Sequence, residues 1–196
     1  MKIRQHCDIA LPPWIDGFVS HWLNEHGALL ATFDDRMRLA VALSAENVRQ
    51  TTGGPFGAVV VEEVSGRLVG VGVNLVTHLQ VSAAHAEIVA LSLAQTAVNS
   101  WNLGSAGSMQ LVTSCEPCAM CFGAVPWSGV SSMICGARKQ DAQAAGFDEG
   151  DKPENWVAAL QRRGIRVVLD VTRDDAARVL QDYARDDGLI YCPRIP

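Results

Sequence analysis

His85-Ala86-Glu87 and the later run Pro117-Cys118-Ala119-Met120-Cys121 constrain this chain more than any other feature in it. They offer one imidazole, two thiols and a carboxylate, and these can act together only in a fold that brings the two runs to one point. Zinc held by three protein ligands keeps its fourth tetrahedral position open to water, which separates a catalytic site from a closed structural one. His85, Cys118 and Cys121 are the candidate metal ligands. Glu87 lies two positions past His85 and can reach the water without binding the metal, the position of a proton carrier. Two thiolates cancel the formal charge of Zn²⁺, so the water is acidified less than over three neutral imidazoles and a strong base nearby matters more.

The local pattern puts both runs at helix starts. Glu87 to Val98 is apolar at Ile88, Val89, Leu91, Leu93 and Ala94, has no Gly or Pro, and reads as a buried helix opened by His85. Leu111-Val112-Thr113 ends a short strand, Pro117 fits a first helical position, and Cys118 and Cys121 fall one turn apart on the same face. A helix N-terminus lowers thiol pKa values and favours the metal-bound form.

Plainer readings of the same residues explain less. A lone C-x-x-C can be a redox pair, but that leaves His85 and Glu87 idle. Cys115, Cys118 and Cys121 partly resemble a bacterial iron–sulfur run, yet Val125 stands where the fourth cysteine belongs, although Pro126 follows it. A structural zinc site needs a fourth Cys or His, and the remaining candidates are distant in sequence. Cys115 reads as a small buried residue at a strand end, and Cys7, Cys135 and Cys192 carry no pattern.

With 196 residues and 48% hydrophobic composition the chain can bury a sizeable core without disulfides or repeats. Six cysteines, two of them candidate ligands, suit a reducing compartment, and the expected location is the cytoplasm. Lys2 and Arg4 begin no signal peptide, because His6, Asp8, Pro12 and Pro13 interrupt any apolar core; no stretch is long enough to span a membrane. A net charge of -5 offers no basic footprint for nucleic acid and favours a free small molecule as substrate.

Along the chain, Trp14, Phe18, Trp22 and Leu23 space like one face of a first helix, and Asp34 is placed to cap a second carrying Met37, Val41 and Val48. A hairpin follows: Gly57 to Glu62, a turn at Ser65-Gly66, and a strand from Arg67 to Asn74. After the helix from His85 come a strand near Met109 to Ser114, the helix from Cys118 and a strand through Val130 to Cys135. Asp151 and Pro153 start a helix that Gly164 closes, Ile165 to Val171 reads as a strand, and Thr172 with Asp175 resembles a capping box for the last helix. The alternation predicts a single α/β domain over residues 1–196, a three-layer α/β/α arrangement around a mixed sheet of about five strands. Residues 1–50 read as a helical N-terminal extension packed on it.

H-x-E followed by P-C-x-x-C is the known signature of zinc nucleobase deaminases. His85-Ala86-Glu87 with Thr113-Ser114-Cys115-Glu116-Pro117-Cys118-Ala119-Met120-Cys121 resembles the cytidine deaminase-like superfamily, in the branch shared by guanine deaminases and tRNA adenosine deaminases. Further blocks resemble the bacterial guanine deaminase family: Gly53-Gly54-Pro55-Phe56-Gly57-Ala58, Phe122-Gly123-Ala124-Val125-Pro126-Trp127 and Ala144-Ala145-Gly146-Phe147-Asp148-Glu149. The resemblance covers roughly residues 50–160 and is weak outside them.

That resemblance implies hydrolysis of guanine to xanthine and ammonia, with zinc as cofactor and a homodimer as the assembly. It implies His85, Cys118 and Cys121 as metal ligands, Glu87 as proton shuttle and Glu149 as a second acid or base, with Asp148 the neighbouring alternative. It also implies Asn74 as a purine-reading amide, Phe56 and Trp127 as pocket-wall aromatics, Ala86 as a substrate-binding position and Tyr191 as a lid residue. The same chemistry fits a tRNA adenosine deaminase, or a deaminase of guanosine, cytosine or ammeline. The tRNA enzymes differ in having V-G-A and H-S-R where this chain has Pro55-Phe56-Gly57-Ala58 and Trp127-Ser128-Gly129. A non-enzymatic zinc domain is the reading from another class, and Glu87 argues against it, because a purely structural site has no use for that carboxylate.

Overall fold

The sheet forms where aliphatic residues run unbroken. Val59-Val60-Val61 and Leu111-Val112 are buried on both sides, as continuous apolar runs in covered strands are. The computed structural model describes residues 6–192; Lys2 and Arg4 lie outside the described residues. In chain order these form α1 (Trp14–His26), α2 (Phe33–Arg49), β1 (Gly57–Glu62), β2 (Leu68–Val73), α3 (Val76–Leu79), α4 (Ala86–Ala97) and a 3-10 turn (Leu103–Ala106). There follow β3 (Met109–Cys115), α5 (Ala119–Ser128), β4 (Ser132–Ala137), α6 (Lys139–Ala144), α7 (Trp156–Gln161), β5 (Arg166–Val168) and α8 (Arg173–Arg185).

The five strands lie in the order β2-β1-β3-β4-β5. β1 is antiparallel to both β2 and β3, while β3, β4 and β5 run parallel. Alternate residues of β1 serve opposite faces. Ala58 and Val60 pack with Ala86, Ala90 and Ala94 of α4, Val125 of α5, and Trp156 and Leu160 of α7. Val59 and Val61 pack with Met37, Leu39, Ala40 and Leu43 of α2 and Ile15 of α1. Beyond β4, Ala137 joins Ala176, Ala177 and Leu180 of α8 in a third cluster beside α2. The result is the three-layer mixed-sheet architecture that the alternation of elements predicts.

Several local expectations are corrected. Within residues 1–50, α1 and α2 are helical and pack on the sheet, and the corrections concern their ends and those of later elements. The cap of α2 is Thr32, not Asp34: the Thr32 hydroxyl accepts from Asp35 N–H at 3.1 Å while the Asp35 carboxylate accepts from Thr32 N–H at 3.0 Å. Thr172 precedes α8 as expected but caps nothing, because a φ of 46° turns it into the left-handed region. Pro117 lies one residue before the cap, and the residue at the N-cap of α5 is Cys118. The last strand is only Arg166–Val168, and α3 and α6 are short helices that periodicity over a few residues cannot signal.

The α4 layer sits unusually close to the sheet. A Cβ placed on Gly72 of β2 falls 2.2 Å from the Ala86 carbonyl and 2.5 Å from the Ala90 nitrogen, both backbone atoms that cannot rotate away. Gly72→Ala should therefore cost about 1–3 kcal/mol of stability, the range of overpacked cores. It should also weaken metal retention, because α4 moves with His85 at its start. Urea unfolding together with metal analysis checks both, and an unchanged midpoint would show that α4 has room to move.

Candidate metal centre and active site

β2 ends at Val73, and the chain passes through Asn74 and α3 before α4 begins; β3 ends at Cys115, and α5 begins four residues later. Both strands run antiparallel to β1, which lies between them, so their C-terminal ends fall on the same side of the sheet and bring the two motif runs together. His85 is the N-cap of α4 and Cys118 the N-cap of α5, both with extended backbone, and Cys121 lies in the first turn of α5. One ligand atom from each of His85, Cys118 and Cys121 lies within 4.8 Å of the other two. Nδ1 of His85 is 3.5 Å from Sγ of Cys118. One imidazole and two thiols in this compact arrangement suit a zinc-type ion with one position left for water.

The electrostatics around the three ligands are those of a crowded anionic site. Hydrogen bonding from Cys121 and His85, against the opposing effect of burial, brings the Cys118 thiol down to about 4. Cys121, which donates that bond and is buried, is pushed well up. Without a metal the pair thus holds one charge, on Cys118; a bound cation would draw the second thiolate out. Burial lowers the His85 pKa, but its bond to Cys118 and the nearby Glu87 carboxylate outweigh this, and the net shift is upward.

Glu87, in the first turn of α4, is buried, and desolvation reinforced by the Cys118 charge raises its pKa to about 6. Glu149 is 5% exposed, and burial with the Cys118 and Glu87 charges raises it to about 8. Its Oε2 is buried without a partner. Asp148 is exposed, accepting from Gly150 N–H at 2.8 Å and from the Cys192 thiol at 3.6 Å. Of the two adjacent acids, Glu149 is therefore the one turned inward. A divalent cation among the ligands would draw the pKa values of both buried carboxyls down again.

A cleft of about 210 Å³ opens over these groups. That is below the roughly 300–1,000 Å³ typical of drug-sized ligands and fits a single heterocyclic base. His85, Glu87, Cys118 and Glu149 line it together with the aromatic Phe56, Phe147 and Tyr191 and with Asn74, Val76 and Ser82. Phe56 and Phe147 meet edge to face at 4.8 Å, and Tyr191 lies 5.4 Å from Phe147. Asn74 is 1% exposed: its carbonyl accepts from Asn47 at 2.9 Å, and its side-chain oxygen accepts from Val76 N–H at 3.3 Å. Tyr191 keeps a buried hydroxyl with no partner among the described residues, packed where Gly54 leaves room: a Cβ there would lie 2.6 Å from that oxygen.

The structure thus gathers His85, Cys118, Cys121, Glu87, Glu149, Asn74, Phe56 and Tyr191 in one place. It does not bring in Trp127, which is 82% exposed near the C-terminal end of α5 and lines surface grooves away from the cleft. The expectation of a pocket-wall tryptophan is corrected: Trp127 lies two turns beyond Cys121, on the outward side of the helix. Ala86 is fully buried, its side chain in the α4 core cluster, so any substrate contact there falls to its backbone. Sequence reasoning missed Glu116 as more than part of a motif, and Lys152 altogether. The Glu116 carboxylate is buried between Arg138 at 3.1 Å and Lys152 at 3.3 Å. A charged residue within an otherwise buried run, Leu111 to Pro117, was the one signal available.

Residues 32–137 match the family described as the cytidine and deoxycytidylate deaminase zinc-binding region, and the chain belongs to that family. Among its relatives is the guanine deaminase of Bacillus subtilis (strain 168), 38% identical over 123 residues that span 60% of this chain and 76% of that protein. A solved guanine deaminase from Nitrosomonas europaea is 43% identical, covers 94% of this chain and 100% of its own, and superposes with a TM-score of 0.84. A structure in complex with 2,6-diaminopurine is 44% identical over 97% of this chain and 98% of its own, with a TM-score of 0.86. The α/β architecture of this chain is that of the solved guanine deaminases, and the chain is an aminohydrolase by family.

Cys115 separates the metal set from its surroundings. Its thiol is buried and donates to the Arg138 carbonyl at 3.7 Å, away from the three ligands. Cys121→Ser should lower bound zinc from about one ion per chain to a small fraction, since a three-ligand site tolerates no loss, whereas Cys115→Ser should leave it unchanged. Metal analysis after gel filtration decides, and equal zinc loss in both variants would contradict the assignment.

Proposed function

We propose that the protein hydrolyses guanine to xanthine and ammonia, using zinc held by His85, Cys118 and Cys121. The observation that carries this reading is a small aromatic cleft in which two buried carboxyls, Glu87 and Glu149, flank the His/Cys/Cys set, each with a raised pKa. Relatives with guanine deaminase in their names, one of them covering nearly the whole chain, support the choice of base. Zinc, when bound, supplies a Lewis acid that makes water nucleophilic near neutral pH.

The protein's own residues do the rest. Asn74, with its side-chain oxygen held by Val76, offers its NH₂ group to the polar edge of the purine. Phe56 and Phe147 pack against the ring and keep bulk water away, which strengthens every electrostatic effect inside the cleft. Glu87 takes one proton from the attacking water and passes it to N3; as the C2–N bond breaks it carries the remaining proton of the new C2 hydroxyl to the amine, which leaves as ammonia. Glu149 meets the edge carrying N1 and O6, so that two carboxyls divide the work. Tyr191 lies against Phe147 and closes the outer side.

The tRNA adenosine deaminase reading is weaker, because the net charge of -5 opposes a polyanion. A reducing compartment such as the cytoplasm suits six cysteines that all stand free. No helix among the described residues is long and apolar enough to cross a membrane. A homodimer through the outer face of α5 accounts for the exposure of Trp127 at 82% and Met120 at 41%, with apolar grooves beside the tryptophan lined by Ile88, Leu91, Phe122 and Pro126.

Ammonia release from guanine, guanosine, adenine, cytosine, ammeline and a tRNA anticodon stem-loop, measured side by side, tests the substrate. Fast release from guanine is expected, and turnover of the stem-loop alone would refute the choice of base. Glu87→Gln should retain zinc and lose at least about a thousandfold in kcat, at the scale of a lost proton carrier within a cooperating site; full activity in that variant would refute the mechanism. For the assembly, Trp127→Glu should shift the sedimentation coefficient from dimer to monomer without loss of zinc, and an unchanged coefficient would place the interface elsewhere.

A further inference from the structure

Lys152 is a buried cation that the chemistry above does not use. Its side chain is only 3% exposed, and a buried ammonium is found where it is paired on several sides. Nζ donates to the Pro117 carbonyl at 2.7 Å and to Oε2 of Glu116 at 3.3 Å, and it stands 4.4 Å from the centroid of the Trp156 ring. Glu116 is itself held from the other side by Arg138 at 3.1 Å, and Arg138 is paired in turn with Asp170. The ammonium thus grips the two residues that lead into Cys118, while its own backbone belongs to the loop that carries Glu149.

That loop is tied to the metal-ligand loop by one further backbone hydrogen bond, and a second closes its own turn. Ala119 N–H donates to the Glu149 carbonyl at 2.9 Å, and Lys152 N–H donates to the Gly150 carbonyl at 3.1 Å. Gly150 adopts a φ of 65°, and a Cβ there would touch the Ala119 side chain at 3.0 Å. Among the described residues Oε2 of Glu149 is buried and has no hydrogen-bond partner. Its position over the ligands depends on where the backbone of this loop is held.

We infer that Lys152 is a positioning residue for the reaction, clamping the loop that carries Glu149 onto the Glu116-Pro117 segment that presents Cys118. The inference rests on the reading of the site as a guanine deaminase with Glu149 in contact with the base. Removing the ammonium frees the 149–152 loop from Pro117 and lets the carboxyl drift. A displacement of about 1 Å in a reacting group can cost on the order of a hundredfold in rate.

The test uses the zinc-loaded full chain with guanine. Lys152→Met should keep its zinc and lower kcat by at least about tenfold, with a KM change of less than about threefold; this split belongs to a group that acts in the transition state. Because that variant leaves Glu116 facing an apolar side chain, Lys152→Met/Glu116→Gln is measured beside it and should show the same loss in kcat with thermal stability restored. The decisive comparison is made in the Glu149→Gln background, where Lys152→Met should cost little more, since a residue that acts only by placing Glu149 has nothing left to place. Additive losses, zinc loss in the double variant, or a kcat within twofold of the unaltered chain would each overturn the inference. If the unaltered chain releases no ammonia from guanine, the functional reading falls and takes this inference with it; if it is active and Lys152→Met matches it, the inference alone fails.

Discussion

His85 and Cys118 occupy the N-cap positions of α4 and α5, and neither side chain caps its own helix. Helix starts normally satisfy their free N–H groups with a Ser, Thr, Asp or Asn at that position, and losing such a cap costs about 1 kcal/mol. Here both side chains join the His/Cys/Cys set that could hold a metal ion, and the site depends on that exchange. It turns two side chains away from their helices and toward each other, and it puts the thiolates where the helix dipoles favour negative charge. The close fit of β2 against α4 and the tether of Glu149 to Ala119 both hold these two helix starts in place.

Negative charge is the second constraint. Cys118, Cys121, Glu87 and Glu149 lie together, and Cys121 and both carboxyls titrate higher than usual: burial raises the carboxyls most, the hydrogen bond to Cys118 raises Cys121 most, and the neighbouring negative charges add to each. Buried like charges cannot all ionise at once, and a divalent cation relieves the conflict. Glu116 could have added a fifth negative charge beside this cluster. It is instead paired on two sides, with Arg138 and with Lys152.

Much of this was legible in the sequence, for physical reasons that differ from one residue to the next. The ligands and Glu87 were readable because their chemistry demands a fixed spacing, and the strands because unbroken runs such as Val59-Val60-Val61 leave no other economical burial. Thr172 was misread because a capping box is defined by backbone angles that its letter does not carry; Thr32, with Asp35 three positions on, realises that motif instead. Trp127 was placed in the pocket wall by the family resemblance alone, and a matching motif does not carry the helix phase that leaves this side chain 82% exposed. Lys152 was invisible: its partners Glu116 and Pro117 are distant in sequence, and a lysine in a polar stretch gives no sign of burial.

Gly54 and Tyr191 show how such long-range dependence extends to the rim of the cleft. The tyrosine hydroxyl occupies the space that a side chain at position 54 would need, so the missing Cβ and the aromatic ring form one shape divided between two distant parts of the chain. Neither position can drift alone. A descendant that acquires alanine at 54 must also shrink or reroute residue 191, so the pair is inherited as a unit and should appear as covariation among relatives that close the cleft in the same way.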